Sequence, residues 1–414
     1  MNATSIFYLI IGILVVDFLL ERFLGLLNYT WYSKAIPKEL SDVYEPKEYK
    51  KSQEYKKTNF RFSLISSTLS FLVIILFLHF KGFALVDQIA RGFATDQILV
   101  ALLFFGIIML ASELASLPFS IYSTFVIEEQ FGFNTTTLKT FILDKIKSYI
   151  LTALLGGGIL SLIILCYNWA GAHFWWYVWV LILMTSLFMN MFYAKLFVPI
   201  FNKQTPLEEG DLKNKISEYA ASVGFHINKV FVIDGSKRST KANAYFSGFG
   251  SEKRITLYDT LIEQLTEEEI VAVLAHEVGH YKRNHIIYNL ILGTLTTGFT
   301  LWLFSLVVNN SLLSQALGVS IPSFHIGLVA FGLLYAPISR LTGIVMNLLS
   351  RKFEYQADYY AKATYKKEPL ISGLKALSKT SLSNLTPHPA YIWFHYSHPS
   401  LQQRITAMNS TTVY

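Results

Sequence analysis

Long uninterrupted apolar runs constrain this 414-residue chain more than any other feature. An α-helix needs about 20 predominantly apolar residues to cross a bilayer, and its backbone polar groups must all be bonded within the protein. Seven runs meet this requirement, near residues 5–27, 62–80, 97–117, 149–169, 174–198, 286–309 and 325–349. Because 52% of the residues are hydrophobic and only 15% are charged, the sequence predicts a mainly α, polytopic membrane protein with seven transmembrane helices.

The distribution of Lys and Arg among the connecting loops predicts the orientation of the spans. Nearly all of these residues fall in loops 28–61, 118–148 and 199–285 and in the tail after residue 350. The alternate loops, 81–96, 170–173 and 310–324, contain only Lys81 and Arg91. Because basic loops stay cytoplasmic, we expect the N-terminus outside and the C-terminus in the cytoplasm, in a bacterial inner membrane or the endoplasmic reticulum. This distribution explains the net charge of +7 without a nucleic acid partner.

Two polar regions, about 199–284 and 350–414, are predicted to form one cytoplasmic catalytic domain. The last two spans, within 285–349, divide this domain, and residues 1–198 hold the first five spans with their loops. Asp211 to Val223 has the pattern of an amphipathic helix. Segments 229–233, 244–249 and 254–258 predict the strands of a small sheet, with a hairpin turn at Gly250-Ser251.

The sequence AHEVGH, residues 275–280, is the strongest chemical signal in the chain. Thr266 and Glu269 have the spacing of a capping box, which predicts a helix that runs through the motif and continues into the sixth span. His276 and His280 share one face of that helix, so both imidazoles can bind one zinc ion. Glu277 lies beside the first ligand, where it can act as general base toward the attacking water.

A catalytic zinc ion needs a third protein ligand and keeps one position open. His285 follows His280 by five residues, so we expect it to point away from the ligand face and to lie at the membrane interface. Glu354 and Asp358, in SRKFEYQAD, are four residues apart and follow the last span. This spacing allows Glu354 as a ligand and Asp358 as an acceptor for an imidazole N–H, but an ordinary solvated carboxylate pair has the same spacing.

Several segments together resemble the type I CAAX prenyl proteases, which are integral-membrane zinc proteases with seven spans. These segments are LPFSIYSTFVIEEQFGFN, NAYFSGFGSEKRITLYDTL, LAHEVGHYKRNH, SRKFEYQAD and SHPSLQQRI. The likeness covers nearly the whole chain. It implies spans that enclose a chamber, with a gluzincin-like zinc-protease domain containing a small β-sheet at the cytoplasmic end.

The resemblance also implies roles for particular residues. Glu354 would be the third zinc ligand, and Asp358 would accept a hydrogen bond from a ligand histidine. Asn243, Ala244 and Tyr245 would belong to an edge strand that binds the substrate by backbone pairing, a mode that has physical support of its own.

Two further residues, His398 and Arg404, match a histidine and an arginine that the family has near its active site. Either side chain could stabilise the oxyanion that forms at the scissile carbonyl. Arg404 could instead anchor a carboxylate of the site.

The family removes the a-a-X tripeptide from isoprenylated C-a-a-X proteins, so we expect a zinc metalloendopeptidase with one Zn²⁺ per chain and a peptide or protein substrate. Whether the substrate carries an isoprenyl group stays open, because a bacterial host without protein prenylation would supply no such protein. A membrane quality-control metalloprotease is the alternative enzyme, and its smaller number of spans argues against it. A metal-dependent scaffold or transporter is disfavoured by the presence of Glu277.

Overall fold

Helices make up most of the computed structural model, which describes residues 2–225, 229–248 and 253–410. The first part of the chain forms α1 (Ala3–Trp31), α2 (Pro46–His79), α3 (Gly82–Phe93), α4 (Gln97–Tyr122), a π-helical segment (Ser123–Glu128), α5 (Glu129–Phe131), α6 (Leu138–Leu151), a second π-helical segment (Thr152–Gly156), α7 (Gly157–Ala170), α8 (Phe174–Leu196) and α9 (Val198–Phe201). The later part forms α10 (Asp211–Ser222), α11 (Asp259–Gln264), α12 (Glu267–Lys282), α13 (His285–Val307), α14 (Ser311–Ala316), α15 (Phe324–Thr364), α16 (Lys367–Thr380), α17 (Pro389–His395) and α18 (Leu401–Asn409). Short 3₁₀ turns occupy Lys38–Leu40, Gly171–His173 and Gly235–Lys237.

Six continuous helical stretches in the described residues are long and apolar enough to cross a membrane. The fourth, Leu138–Phe201, contains two of the predicted runs and turns at Gly171, where φ is +53°. The rings of Tyr167 and Phe174 meet edge to face across this turn, with centroids 5.3 Å apart, so α7 and α8 pack as a hairpin. The predicted mainly α membrane fold is confirmed.

The spans leave most of their apolar surface uncovered by the protein itself. Between 6% and 17% of the most apolar window of each stretch is buried. These side chains are therefore available to lipid, which explains why the runs are apolar on all sides rather than striped.

Two membrane helices are much longer than their apolar runs. α2 begins at Pro46, where the side chains of Glu45 and Glu48 form a capping box, well before the run that starts near residue 62. α15 continues to Thr364, beyond the run that ends near residue 349. In both cases polar residues continue the helix beyond the apolar run, so both helices project from their spans into the polar part of the protein.

The polar part of the protein contains a small mixed sheet, as predicted. Its strands are β1 (Gln204–Pro206), β2 (Val230–Ile233), β3 (Ala244–Ser247) and β4 (Arg254–Tyr258), in the order β1-β2-β4-β3. β2 and β4 are parallel, whereas β1–β2 and β3–β4 are antiparallel. β3 is therefore an edge strand. Phe249 and the predicted turn at Gly250-Ser251 lie outside the described residues.

The helix that carries the HEVGH motif begins as predicted but ends early. Thr266 Oγ1 accepts a hydrogen bond from the backbone N–H of Glu269, and Glu269 accepts one from the N–H of Thr266 at 2.9 Å. The predicted continuation into the sixth span is wrong, because Asn284 adopts a left-handed conformation with φ +59° between α12 and α13. Asn tolerates this conformation better than most residues, so it permits a sharp change of direction.

α12 and α15 cross with almost no space between their backbones. A Cβ atom added at Gly279 would lie 3.1 Å from the backbone Cα and O of Ala357 and 3.1 Å from Cβ of Tyr360. Ala357 itself is fully buried. A side chain at this position would force the facing backbone to shift by a few tenths of an ångström, so glycine favours the close approach that brings together the two helices carrying the candidate metal ligands.

We expect Gly279→Ala to lower the free energy of unfolding by about 1–3 kcal/mol, because the added methyl overpacks a rigid backbone contact. Thermal unfolding of the purified protein in detergent measures the effect. Gly332→Ala in α15 is the matched control, since its Cβ would meet nothing within 4 Å. Equal melting temperatures for the two variants would contradict the proposed role of Gly279.

Candidate metal centre

Three side chains from α12 and α15 converge on one point. His276 Nε2 lies 3.1 Å from His280 Nε2 and 3.5 Å from Glu354 Oε2, and His280 Nε2 lies 3.3 Å from Glu354 Oε1. Two ligands that each bind one tetrahedral ion at about 2.1 Å are separated by about 3.4 Å. The observed separations match that value, so the sequence-predicted ligand set is assembled here.

The state of Glu354 shows that this set of donors fits a metal ion. Glu354 is 4% exposed, and its Oε2 atom has no hydrogen-bond partner among residues 2–225, 229–248 and 253–410. A buried carboxylate oxygen without a hydrogen bond is costly, and Arg404, 3.6 Å away, is too far to donate one, whereas a bound cation would remove that cost. Two imidazole nitrogens and one carboxylate oxygen are also the donors that catalytic zinc sites use.

The ring of His276 is oriented from behind by a carboxylate and a guanidinium. Asp358 Oδ1 lies 2.9 Å from His276 Nδ1, and Asp358 is itself 1% exposed. Arg404 donates two hydrogen bonds to Asp358, from Nε at 2.8 Å and from a terminal nitrogen at 2.6 Å. Asp358 therefore points Nε2 of His276 toward Glu354, and Arg404 holds Asp358 in place.

The electrostatic field at His276 favours positive charge. Burial opposes protonation of the imidazole, but hydrogen bonds to Asp358 and Glu354 outweigh burial and raise the pKa of His276 to about 9. The same two carboxylates attract any cation placed at Nε2. A metal ion that binds there must displace this proton.

His285 supports His280, so the prediction that it points away from the ligand face is wrong. Its side chain is 1% exposed, with Nδ1 3.0 Å from His280 Nδ1 and Nε2 2.9 Å from Gln356 Oε1. The ring also stacks on Phe353, with centroids 4.3 Å apart. The reversal at Asn284 causes this placement, because it turns the chain back beside the second histidine. An Asn between two helical patterns was the available sequence signal.

A cleft of about 480 Å³ opens over the three candidate ligands. Glu277 lines it and, among the residues that the structure describes, forms neither a hydrogen bond nor an ion pair. His398 also lines it, 62% exposed at the side chain, with Nε2 3.3 Å from Glu354 Oε1. Glu277 is thus free to exchange a proton, and His398 can donate a hydrogen bond to a group in the cleft.

Arg404 occupies a different position from His398. Its side chain is 12% exposed and is engaged with Asp358, although it also lies 3.6 Å from Glu354 Oε2. Of its two sequence-derived roles, this geometry favours the anchoring of a carboxylate over direct contact with an oxyanion.

The three predicted substrate-binding residues lie along the edge strand but do not face the same way. Asn243 and Ala244 line the cleft. Tyr245 points to the opposite face of the sheet, where it packs with Ala194, Val198 and Ile233. Tyr245 can therefore contact a peptide in the cleft through its backbone but not through its side chain.

Residues 26–203 match the family model of the CAAX prenyl protease N-terminal region with five membrane helices, and residues 206–412 match peptidase family M48. The chain belongs to peptidase family M48. It is a multi-pass membrane metallopeptidase of the CAAX prenyl protease type.

This chain aligns with relatives of the same family over nearly its whole length. The chain is 38% identical to a CAAX prenyl protease 1 homolog of Arabidopsis thaliana, covering 97% of this chain and 96% of the relative. It is 35% identical to CAAX prenyl protease 1 of Saccharomyces cerevisiae, covering 97% and 94%. The crystal structure of S. mikatae Ste24p superposes with a TM-score of 0.92 at 34% identity, covering 98% of this chain and 99% of that one. The fold and the family are therefore established over the whole chain.

We expect Glu354→Gln to weaken zinc binding by more than about 100-fold, because it removes one charged ligand while keeping its volume. Asp358→Asn should weaken binding less, by about 10- to 100-fold, since it acts through the orientation of His276. Competition with a chelator measures both affinities, and metal analysis of the purified variants gives the occupancy. Glu368→Gln on the exposed face of α16 is the control. Full occupancy in Glu354→Gln would refute its role as a ligand.

Proposed function

We propose that this protein is a zinc endopeptidase that removes the C-terminal a-a-X tripeptide from isoprenylated proteins at the cytoplasmic face of its membrane. The observation that carries the proposal is the His276–His280–Glu354 cluster at the base of a cleft beside an unpaired strand edge. The names of the relatives, CAAX prenyl proteases, supply the substrate class.

Three side chains would hold the metal, namely His276, His280 and Glu354. When bound, zinc would supply Lewis acidity toward water and toward the scissile carbonyl. The histidines must be neutral to bind it, so binding would displace the Nε2 proton of His276, while Asp358, 2.9 Å from Nδ1, keeps the ring oriented.

Glu277 acts as the general base. It follows His276 directly and has no competing partner in the described part of the chain, so its carboxylate can accept a proton from the attacking water. The carboxylic acid that results then donates this proton to the amine nitrogen as the peptide bond breaks. One carboxylate thus serves both halves of the reaction.

The substrate lies along β3. A peptide added to the free edge of this strand would satisfy the outward backbone groups of Ala244 and its neighbours. The same pairing sets the scissile bond beside Glu277 and His398, which line the cleft next to Asn243. His398 then donates a hydrogen bond to the developing oxyanion, while Arg404 keeps Asp358 and His276 in position.

The Lys and Arg content of the loops indicates how the chain is oriented in the membrane. Loops 28–61, 118–148 and 199–285, which carry most of the Lys and Arg, lie on the same side of the spans as α12 and the sheet. Because basic loops stay cytoplasmic, the active site faces the cytoplasm and the N-terminus faces out.

We expect the wild-type protein to cleave an isoprenylated C-a-a-X peptide faster than the same peptide without its isoprenyl group. Glu277→Ala should keep its zinc but lose about 10²–10⁴-fold in kcat, because proton transfer is lost while the ligands remain. Product analysis by mass spectrometry and metal analysis test both parts. Equal rates on the two peptides would remove the isoprenyl requirement, and retained turnover in Glu277→Ala would remove the general base.

We expect a cysteine at position 51 to react with a membrane-impermeant maleimide only from the cytoplasmic side. The chain has a single cysteine, Cys166, so Cys166→Ser supplies a clean background. Lys81→Cys is the matched control and should react from the outside, since Lys51 and Lys81 are both exposed at opposite ends of α2. The reverse pattern of labelling would overturn the orientation.

A further inference from the structure

A second cleft adjoins the one over the metal centre. It has a volume of about 510 Å³ and shares His398 as a common wall with the first cleft. We call it the Lys56 cleft. Its lining is rich in hydroxyl and amide groups, carries one ammonium and, in the part of the chain that the structure describes, contains no carboxylate. The lining includes Asn28, Tyr32, Lys56, Ser378, Asn384 and Ser397.

Lys56 is the cation of this cleft. Among residues 2–225, 229–248 and 253–410 its ammonium forms no ion pair and no hydrogen bond, and it lies 5.0 Å from the centroid of the Tyr55 ring. The side chain is partly buried and reaches the cleft. A partly buried ammonium without an acidic partner attracts an anion strongly.

A neighbouring lysine shows the contrast. Lys241 lies 5.4 Å from the same Tyr55 ring, but its ammonium is 2.6 Å from Glu128 Oε2. Glu128, at the end of the first π-helical segment, also accepts a hydrogen bond from the Tyr55 hydroxyl at 2.6 Å. Glu128 neutralises the charge of Lys241, so the positive charge of Lys56 is left without a counter-charge at the cleft.

The direction of the edge strand leads a substrate toward this charge. A peptide that pairs antiparallel with β3 runs opposite to it, so its C-terminal end passes Asn243 and continues toward Lys241. Antiparallel pairing is also the commoner arrangement in sheets. Three extended residues span about 10 Å, so the chain end of a short leaving peptide lies close to the scissile bond.

We propose that the Lys56 ammonium binds the C-terminal carboxylate of the substrate. The inference rests on the proposed function, and it deepens that function by explaining how chain ends are selected. An internal peptide segment or an amidated end presents no charge to Lys56. The hydroxyl and amide groups of the cleft supply further hydrogen bonds to the carboxylate oxygens.

The test compares two isoprenylated C-a-a-X peptides, one with a free C-terminal carboxylate and one with a C-terminal amide. Binding is measured with the full-length zinc-loaded Glu277→Ala protein in neutral detergent, so that turnover does not intervene. We expect the acid to bind about 10- to 100-fold more tightly than the amide, the range for a hydrogen bond between charged groups. Lys56→Met in the same background should bind both peptides with the affinity of the amide.

Lys57→Met is the matched control, because Lys57 is the next residue on α2, donates to Ser33 Oγ at 3.2 Å and lines neither cleft. It should keep the full preference for the acid, and Lys56→Arg should keep part of it. A preference that survives Lys56→Met, or an equal loss of affinity for both peptides, overturns the inference. So does equal binding of acid and amide by the protein with Lys56 intact, a measurement that needs no variant at Lys56.

Turnover by the protein with Glu277 intact separates this inference from the proposed function. If neither peptide is cleaved above the Glu277→Ala background, the proposed function fails, and the binding ratio still decides the role of Lys56. If the acid is cleaved but binds no better than the amide, the peptidase stands and the carboxylate site falls.

Discussion

The contact between α12 and α15 at Gly279 is the constraint on which the rest of the structure depends. A metal centre needs its ligands within a few ångströms, yet two ligands here lie on one helix and the third on another that is 74 residues away along the chain, counted from His280 to Glu354. Backbone contact at Ala357 sets the depth of the crossing. Residues 276, 280 and 354 then meet without long or flexible side chains having to reach across a gap.

Around this crossing, each imidazole is fixed by a partner at Nδ1, the ring nitrogen opposite the Nε2 atom that faces the candidate metal position. Asp358 with Arg404 supports His276, and Gln356 with His285 supports His280. Both supporting pairs draw one member from α15, the helix that also supplies Glu354. A single helix therefore provides a ligand and the groups that orient the other two ligands, which couples the geometry of the whole site to the placement of α15.

Much of this could be predicted from sequence, for identifiable reasons. The apolar runs, the capping box at Thr266 and the i, i+4 spacing of the histidines are local patterns, and the structure contains each of them. The family resemblance predicts Glu354 as the third metal ligand, whereas its spacing from Asp358 alone does not distinguish it from a solvated carboxylate. Helical periodicity does not predict the place of His285, because that place depends on the backbone conformation of Asn284. The strand pattern predicts where the backbone of Tyr245 lies, but strand alternation sends its side chain to the other face of the sheet.

The role of Lys56 could not be predicted in the same way. Nothing in its sequence neighbourhood distinguishes it from the lysines beside it on α2. Lys56 differs because it lacks an acidic partner and lies in a cleft built by α1, α2, α16, α17 and the segments that flank α17. Such properties arise from the assembly of distant segments, so they become visible only when the chain is folded.

The length of α15 has a mechanical consequence. At 1.5 Å per residue, the 30 residues from Phe324 to Glu354 make a lever of about 45 Å from one side of the membrane to the other. A change of only two degrees in the tilt of such a lever moves its end by about 1.5 Å, roughly three times the tolerance of about 0.5 Å for a functional site. Membrane helices tilt in response to the thickness of the surrounding lipid. The thickness of the bilayer therefore affects the position of Glu354 relative to His276 and His280, although these residues lie outside the apolar spans.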